Sequence, residues 1–494
     1  MSEWTKEQRY QKYEDVDQQT IEKLTEQVNQ SEYRQTFHIQ PQIGLLNDPN
    51  GLIYFKGNYY VSHQWFPLGP VHGLKYWYTY QSKDLVDFKA IGPTIKPDTK
   101  DDSHGVYSGS AFEYHDHLYY MYTANHRDSE WNRISTQHIA KMSKDGSVNK
   151  FPKAVISAPP SGYTQHFRDP KVHVQDGVYY AMIAAQNIKK QGRILQYRST
   201  DIVNWEFQGE VQTNLDDFGY MWECPDYFNL NGYDMLLFCP QGIDSEGERF
   251  KNIYQSGYIM GQYDINNLTM NHADFHELDY GFDFYAPQTF LDENGQRILI
   301  GWMGLPDINY PTDADGWAHC LTIPRVLTIE SGNLKQRPIK ALEKLRTNEE
   351  TALGYANKFT RQLHPYEGKQ FELIIDILEN EATEVYFEVR TSKTESTLIT
   401  YNKREQKLTL DRSESGQLPE PVEGTTRSTY LDTPLSKLQL FVDTSSVEIF
   451  CNDGERVMTT RIFTDENATG IKTSTESGQT YLKFTKYDLK GDTI

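Results

Sequence analysis

Five short polar motifs recur along this chain at intervals of about sixty residues, and each is followed by a strand–turn–strand pattern. The motifs begin at Asn47, Ser108, Arg168, Trp222 and Ala286. After the first, an apolar run at residues 52–55 leads through a turn at 56–58 into a second run at 59–61, and the other repeats turn at residues 115–117, 175–177, 231–232 and 293–295. Repetition of this length predicts the blades of a β-propeller, small antiparallel sheets arranged around a central axis.

Three of the five motifs carry a carboxylate at the same relative position, namely Asp48, Asp169 and Glu223. If each motif starts the innermost strand of its blade, the three side chains open into one central pit. Pro49 and Pro170 keep the preceding residue extended and remove one ladder donor, so we expect those strands to begin abruptly. A single Asp-Pro or Asn-Gly is an ordinary turn signal. The shared position of all three acids therefore carries the inference, because clustered carboxylates suit glycoside hydrolysis.

These motifs resemble those of glycoside hydrolase family 32, the invertases and fructan hydrolases. The resemblance rests on residues 38–51 (His-Ile-Gln-Pro-Gln-Ile-Gly-Leu-Leu-Asn-Asp-Pro-Asn-Gly), 167–170 (Phe-Arg-Asp-Pro) and 223–225 (Glu-Cys-Pro). It continues through residues 64–67, 107–110, 283–288, 301–303 and 440–455, and so covers nearly everything after residue 32. Within the family, the chain looks most similar to the bacterial phosphosucrose group.

The repeats, the later strand pattern and the resemblance together predict an all-β chain with a five-bladed β-propeller, a β-sandwich and a short N-terminal helical arm. We expect the arm at residues 1–32, the catalytic propeller at 33–337, a linker at 338–349 and the sandwich at 350–494. A chain of 494 residues is too long for one ordinary core. Ile21, Leu24 and Val28 predict an amphipathic helix within residues 4–30 that packs on the propeller. Runs at 371–377, 385–389, 398–401, 438–442, 447–450 and 481–484 are typical of sandwich strands.

The resemblance also implies a role for each acid. Asp48 is the expected nucleophile, which attacks the anomeric carbon of the fructosyl unit and forms a covalent intermediate. Glu223 is the expected general acid and then general base, and Asp169 grips two fructose hydroxyls to stabilise the transition state. Asp48 must be ionised while Glu223 holds a proton. We expect the other negative charges in the pit to raise the pKa of the last group to ionise.

Amide and hydroxyl groups near the acids are expected to read the hydroxyls of the sugar. The residues that the resemblance implies for substrate binding are Leu45, Leu46, Asn47, Gln64, Tyr107, Ser108 and Arg168. Arg168 can hold the sugar and keep Asp169 ionised, or it can merely fix the start of the strand. Asp279 and Asp283 precede the fifth motif and are expected beside the site. The chemistry calls for no metal and no cofactor.

Composition excludes several other classes. The formal charge of −20 argues against a nucleic-acid partner. Four cysteines are too few and too scattered for a disulfide framework or a zinc site, so we expect free thiols. No apolar run of eighteen residues suggests a membrane span, and the first residues lack the apolar core of a secretory signal. We therefore expect a cytoplasmic protein with an imported substrate, and the oligomeric state stays open.

Three functions remain open at this point. The first is hydrolysis of sucrose 6-phosphate to glucose 6-phosphate and fructose, the second is hydrolysis of unphosphorylated sucrose or short fructans, and the third is a non-catalytic sugar-binding propeller. The third is disfavoured because a scaffold needs no pit of three carboxylates. An inverting arabinan-type hydrolase would share the architecture but need a wider carboxylate gap. The first two differ in a phosphate site, for which the candidates are Lys75, Arg127, Arg133, Arg249 and Lys251, although each also fits an ordinary surface charge.

Overall fold

The computed structural model describes residues 4–359 and 366–491, which consist mainly of strands. The helices are α1 (Lys6–Arg9) and α2 (Gln18–Asn29), with single 3-10 turns at Tyr13–Asp15, Pro311–Asp315 and Lys340–Leu345. The strands up to residue 338 are β1 (Gly44–Phe55), β2 (Asn58–Phe66), β3 (Tyr76–Ser82), β4 (Phe88–Ile95), β5 (Val106–Tyr114), β6 (His117–Arg127), β7 (Arg133–Met142), β8 (Val148–Lys150), β9 (Tyr163–Gln175), β10 (Val178–Asn187), β11 (Gly192–Ser199), β12 (Glu206–Glu210), β13 (Met221–Leu230), β14 (Tyr233–Gln241), β15 (Gly257–Asp264), β16 (Thr269–His272), β17 (His276–Glu277), β18 (Tyr285–Leu291), β19 (Arg297–Met303), β20 (Trp317–Ala318), β21 (Cys320–Leu321), β22 (Arg325–Glu330) and β23 (Asn333–Pro338). The later strands are β24 (Arg346–Asn357), β25 (Phe371–Asn380), β26 (Glu384–Thr391), β27 (Ser396–Asn402), β28 (Lys407–Glu414), β29 (Thr426–Tyr430), β30 (Lys437–Asp443), β31 (Ser446–Cys451), β32 (Arg456–Arg461), β33 (Gly470–Thr475) and β34 (Gln479–Leu489).

The first 23 strands form five separate sheets, which are the blades of the predicted propeller. The innermost strands β1, β5, β9, β13 and β18 each contact the innermost strands of the two neighbouring blades, and β18 also contacts β1. The ring is therefore closed. Strand β20, which lies between β19 and β21 of the fifth blade in sequence, pairs in parallel with β1 at Gly44 and Leu45. This pairing joins the last part of the propeller to the first blade.

The five motifs lie at β-bulges inside the innermost strands. Pairing slips between Leu46 and Pro49 in β1, and again between Glu223 and Asp226 in β13, with equivalent slips in β5, β9 and β18. The expectation that Asp48 and Asp169 open their strands is wrong, because β1 begins at Gly44 and β9 at Tyr163. A bulge leaves one residue out of the ladder, so a proline is tolerated there. It also turns the acidic side chain towards the axis.

The predicted hairpin turns are present in the blades. At Lys56 and Gly57 the φ angles are 48° and 78°, and at Asp176 and Gly177 they are 52° and 76°. Two consecutive residues in the left-handed region are typical of the two-residue turn that matches strand twist, and glycine tolerates this region without steric cost. These turns set the pairing of the two inner strands in each blade.

The N-terminal arm packs on the propeller, as expected, but it is not one helix. Asp17 caps α2 by accepting a hydrogen bond from the Thr20 amide at 3.0 Å, which starts a new helix instead of continuing α1. Ile21 and Val28 are buried. The short helix α1 carries Trp4 onto the face of the first blade, 5.9 Å from the ring of Phe66.

The strands after residue 345 form a β-sandwich of two sheets. The order is β24-β34-β25-β30-β31-β32 in one sheet and β29-β28-β27-β26-β33 in the other. A single hydrophobic cluster fills the space between them, with Phe371 and Leu440 from the first sheet and Phe387 and Ile399 from the second. Along β26 and β27 its side chains alternate with more exposed ones, as expected where one sheet face is buried.

A buried network of charges joins the propeller to the sandwich. The two ring nitrogens of His38 lie 2.7 Å from Asp443 Oδ2 and 3.0 Å from Glu448 Oε1. Arg325 binds the other oxygen of Glu448 at 2.6 Å and Asp279 at 3.0 Å, and all of these side chains are fully buried. Burial acts to lower the pKa of His38, but its two carboxylate partners outweigh this and raise the pKa to about 9.

The same interface accounts for the two acids that were expected beside the site. Asp279 accepts hydrogen bonds from the amide and hydroxyl of Thr459, in the sandwich. Asp283 binds Arg412 of the sandwich at 2.8 Å and the Tyr310 hydroxyl at 2.5 Å. Their side chains therefore serve domain docking and not the site. Among the described residues, no helix has the length and apolar character needed to cross a membrane.

Candidate active site

A cavity of about 330 Å³ opens at the propeller axis, and every blade contributes to its wall. All three motif carboxylates line it. The lining residues are Tyr10, Asn47, Asp48, Gln64, His72, Gly73, Lys75, Tyr107, Arg133, Arg168, Asp169, Glu223, Gln241, Tyr254, Tyr285, Trp302, Pro306 and Asp307. The bulges bring Asp48, Asp169 and Glu223 together from three different strands.

Asp48 is held by hydrogen bonds to both carboxylate oxygens. The Ser108 hydroxyl donates to Oδ2 at 2.5 Å, and the Asn47 amide donates to Oδ1 at 3.0 Å. Gln64 in turn donates to the Ser108 hydroxyl at 2.5 Å. Burial raises the pKa of Asp48, and the negative charge of Glu223 adds to the rise, while the bond from Ser108 opposes it. The orientation of this carboxylate is therefore fixed by neighbours from the first two blades.

Glu223 is surrounded by donors. Arg168 approaches Oε1 with Nε at 2.9 Å and Nη2 at 2.6 Å, while Tyr285 and Gln241 each donate to Oε2 at 2.7 Å. Burial acts to raise the pKa of Glu223, but the charge of Arg168 and the bond from Tyr285 outweigh it, so the pKa lies below its usual value. Without a bound sugar, these contacts favour the ionised form of Glu223.

Asp169 lies in the left-handed region, with a φ of 63°, and it is 6% exposed. Its Oδ2 accepts a hydrogen bond from the Cys224 amide at 3.0 Å and lies 4.0 Å from Arg168 Nε. Burial raises the pKa of Asp169 to about 7, helped by the charges of Glu223 and Asp48 and opposed by Arg168. The sequence led us to expect the raised pKa on Glu223. That expectation was wrong, because Arg168 neutralises Glu223 more closely than it does Asp169.

Asp48, Asp169 and Cys224 offer ligand atoms that lie within 4.8 Å of one another. The Cys224 thiol lies 3.7 Å from Oδ2 of each acid, so its single proton can be donated to either. Burial, reinforced by the two negative charges, raises the pKa of Cys224 well above its usual value. Cys224 is therefore a neutral thiol that lies between two carboxylates. The other three cysteines are also free and buried.

The predicted substrate-binding residues divide into two groups. Asn47, Gln64, Tyr107 and Arg168 line the cavity, and Ser108 reaches it through its bond to Asp48. The remaining two, Leu45 and Leu46, are 2% and 0% exposed, and their side chains belong to the hydrophobic core. The structure does not bring those two side chains to the cavity, because both are packed in the hydrophobic core.

The five candidates for a phosphate site do not all converge on the cavity. Only Lys75 and Arg133 line the cavity. Lys75 is buried and donates to Asn47 Oδ1 at 2.7 Å, and burial lowers its pKa to about 7. Arg249 pairs with Glu246 at 3.8 Å, away from the cavity. The other two, Arg127 and Lys251, are not among the lining residues.

Sequence reasoning missed several residues of the cavity, among them Tyr285, Gln241 and Tyr10. Tyr285 directly precedes the fifth motif, so the same bulge rule that identified the acids also identifies it. Gln241 ends β14 opposite Met221, and only the pairing of β13 with β14 shows that it reaches Glu223. Tyr10 comes from the arm, and no local pattern places it there.

The sequence of this chain matches two protein-family models and many known proteins. The model described as the glycosyl hydrolases family 32 N-terminal domain matches residues 38–338, and that of the family 32 C-terminal domain matches residues 341–489. A sucrose-6-phosphate hydrolase of Staphylococcus xylosus is 99% identical over 494 residues, which is 100% of each chain. One of Bacillus subtilis is 41% identical over 90% of this chain and 91% of its own.

Solved structures agree with the sequence matches. A sucrose-6-phosphate hydrolase from Lactobacillus gasseri has a TM-score of 0.92 at 38% identity, covering 99% of this chain and 100% of the other. A mutant family 32 β-fructofuranosidase from Bombyx mori, in complex with sucrose, has a TM-score of 0.82 at 30% identity, covering 96% of this chain and 99% of the other.

Proposed function

This chain belongs to glycosyl hydrolase family 32, and we propose that it hydrolyses the β-fructofuranosidic bond of sucrose 6-phosphate to glucose 6-phosphate and fructose. The observation that carries this proposal is the convergence of three carboxylates and one arginine in a single cavity at the propeller axis. Family membership and the names of the relatives support both the glycosidase chemistry and the choice of sugar.

In the first step, Asp48 attacks the anomeric carbon of the fructosyl unit. A carbon–oxygen bond forms to Asp48 as the glycosidic carbon–oxygen bond breaks, and Glu223 gives its proton to the departing oxygen of glucose 6-phosphate. The hydrogen bonds from Ser108 and Asn47 support this role, because they fix the direction of the Asp48 carboxylate.

In the second step, water resolves the fructosyl–enzyme intermediate. Glu223, now ionised, removes a proton from the water, which attacks the anomeric carbon and releases Asp48. Two displacements retain the β configuration, and such enzymes hold the two carboxyls roughly 5–5.5 Å apart. The Asp48 and Glu223 carboxyls should show that separation.

The pKa of Glu223 lies below its usual value, whereas a general acid must hold a proton. The bound sugar must therefore raise the pKa of Glu223. The Glu223 side chain is 17% exposed. A sugar that covers the side chain removes this remaining hydration, and desolvation favours the neutral acid. The proton can then come from the acid cluster, because the pKa of Asp169 is raised to about 7. Asp169, once ionised, grips fructose hydroxyls with charge-assisted hydrogen bonds that strengthen in the transition state.

A second candidate is hydrolysis of unphosphorylated sucrose or short fructo-oligosaccharides by the same residues. The sucrose complex of the Bombyx mori relative favours this alternative. A phosphorylated sugar does not cross a bilayer unaided, so the first candidate also implies action in the cytoplasm on an imported substrate. The second candidate has no such implication.

The deciding experiment compares kcat/KM for sucrose 6-phosphate and for sucrose, with the same enzyme and buffer. The proposal predicts a clear preference for the phosphorylated sugar that weakens as salt is added, since ions screen the attraction of a phosphate for cationic side chains. Equal efficiency on the two sugars would instead favour the invertase alternative.

A further inference from the structure

Arg133 presents a positive charge to the cavity without an acidic partner. It is the first residue of β7, and it lines the cavity wall close to Arg168. Within residues 4–359 and 366–491, no carboxylate lies within ion-pair distance of Arg133, whereas Arg168 is paired with Glu223. Burial lowers the pKa of Arg133. A partly buried cation without a counter-ion is costly, and a bound anion would remove that cost.

The Arg133 side chain is nevertheless held in place. Its Nη1 lies 3.3 Å from His166 Nδ1, and the same nitrogen of His166 accepts from Arg168 Nη1 at 3.1 Å. Partial burial and the two guanidinium charges lower the pKa of His166 to about 4, so its ring is neutral and can accept from both. The contact engages one of the five N–H groups of Arg133. The group is therefore positioned, with donors left for a ligand.

Further positive charge lies near Tyr10, on the same cavity as Arg133. Tyr10, from the N-terminal arm, lines the cavity, and the charges of Arg127, Arg133 and Arg9 all act on its hydroxyl, although burial raises its pKa more than they lower it. Arg133 also lies 5.9 Å from the ring centroid of Tyr107. In a chain of net charge −20, such a group of arginines is a local exception that can attract an anion.

The position of Arg133 relative to the acids indicates which end of a substrate it meets. Through His166 it connects to Arg168, which binds Glu223, the group that faces the leaving oxygen in the proposed reaction. Lys75 lies on the opposite side, bound to Asn47 next to Asp48. A phosphate on the leaving sugar would therefore approach Arg133, while Lys75 stays with the fructosyl unit.

We propose that Arg133, supported by the charges of Arg127 and Arg9 beside Tyr10, binds the phosphate group of a sugar phosphate on the leaving-group side of the cavity. This inference rests on the proposed function and names the residue behind its substrate preference. The planar fork of N–H groups in arginine matches the oxygens of a phosphate, which a lysine meets only as a point charge.

The test measures kcat/KM on sucrose 6-phosphate and on sucrose for the wild type, Arg133→Ala, Arg133→Lys and the control Arg249→Ala. Arg133→Ala should lower the ratio of kcat/KM for sucrose 6-phosphate to kcat/KM for sucrose by about ten- to a hundredfold, the range expected for one charge-assisted contact. The loss should appear mainly in KM for the phosphorylated sugar, and Arg133→Lys should fall between Ala and wild type. Arg249→Ala should leave the ratio unchanged, because Arg249 lies outside the cavity.

The ratio of kcat/KM for sucrose 6-phosphate to kcat/KM for sucrose is measured first for the wild type. The proposed function and the proposed role of Arg133 then fail in different ways. A wild-type ratio near one overturns the proposed function. A clear wild-type preference that survives in Arg133→Ala, or an equal loss on both sugars, overturns the role of Arg133 alone. If Arg133→Ala does not fold, inorganic phosphate is tested as a competitive inhibitor of sucrose hydrolysis, and it should bind more weakly to Arg133→Lys than to the wild type. Equal inhibition of these two proteins also overturns the role.

Discussion

Replacement of Asp169 by asparagine should stabilise the protein while it removes activity. Asparagine has the shape of the protonated acid and can still accept the hydrogen bond that the Cys224 amide donates to Oδ2 at 3.0 Å. It carries no charge, however, so it escapes the burial and the repulsion from Asp48 and Glu223 that raise the pKa of Asp169. Function, and not stability, would then account for the acid at this position.

The size of the effect follows from the pKa. The pKa of Asp169 rises from an ordinary 3.8 to about 7. Each pKa unit corresponds to about 1.4 kcal/mol, so an ionised Asp169 costs at most about 4 kcal/mol of folding free energy. The cost is absent below pH 4, where the acid is protonated in both states. It grows as the pH rises, because the unfolded chain ionises first, and it is complete above pH 7.

The assay is thermal unfolding of wild type and Asp169→Asn at several pH values. The two proteins should have similar Tm values near pH 4, and the variant should lead by several degrees at pH 8. Asp201→Asn is a control that should be less stable than the wild type at pH 8, since turn hydrogen bonds lower the pKa of Asp201 to about 2 and so stabilise its ionised form. A variant of Asp169 that is less stable at every pH, or a Tm gap that does not change with pH, would refute the reasoning.

Two further predictions concern the neighbours of Glu223 and the domain interface. Tyr285→Phe removes the hydroxyl that donates to Glu223 at 2.7 Å, so the pKa of Glu223 should rise and the basic limb of the kcat/KM profile should move up by about one pH unit. His38→Gln should destabilise the protein by about 3 kcal/mol at pH 6, because Asp443 and Glu448 lose a cationic partner whose pKa is raised to about 9. That stabilisation is complete below pH 6.5 and falls away as the pH rises from 6.5 to about 9, so the Tm gap should narrow over that range and stay small above it.

Each of these predictions has its own control. Tyr258→Phe alters a buried tyrosine of the fourth blade that is not among the cavity residues, and it should leave the pH profile in place. An unchanged basic limb in Tyr285→Phe would show that this hydroxyl does not tune Glu223. For His38→Gln, a Tm gap that stays constant from pH 6 to pH 10 would show that the histidine acts by packing and not by its charge.

The repeat architecture was predictable because it depends on local chemistry. The turn residues, such as Asp176-Gly177, favour left-handed backbone whatever surrounds them, and they mark the hairpin of each blade. The three acids were found because a bulge recurs in each inner strand. The expectation that they share one position in it was wrong, because Glu223 is the last paired residue before its bulge, whereas Asp48 and Asp169 lie inside theirs. Strand β24 was missed because its large apolar side chains, Leu353 and Tyr355, lie on its exposed side, while the more buried side carries Ala352 and Ala356.

What the sequence could not provide is the pairing between distant residues. Arg168 pairs with Glu223 of the next blade at 2.6 Å and lies 4.0 Å from the adjacent Asp169. As a result the pKa of Asp169 is raised and that of Glu223 is lowered, which is the reverse of the expected order and depends on side-chain geometry across two blades. Gln241 and Tyr10 reach the cavity from segments with no motif. Of the five cationic candidates, only Arg133 and Lys75 line the cavity, which a linear pattern does not reveal.

The central claim is that Asp48 forms a covalent bond to the fructosyl unit while Glu223 handles the proton. It is tested most directly with Glu223→Ala and a fructosyl fluoride, because fluoride leaves without help from an acid whereas the second step still lacks its base. The intermediate should then accumulate, and mass spectrometry of the digested protein should find one added fructosyl group on the peptide that contains Asp48. A label on a peptide without Asp48, or no label together with fructose released first as the α-anomer, would contradict the claim.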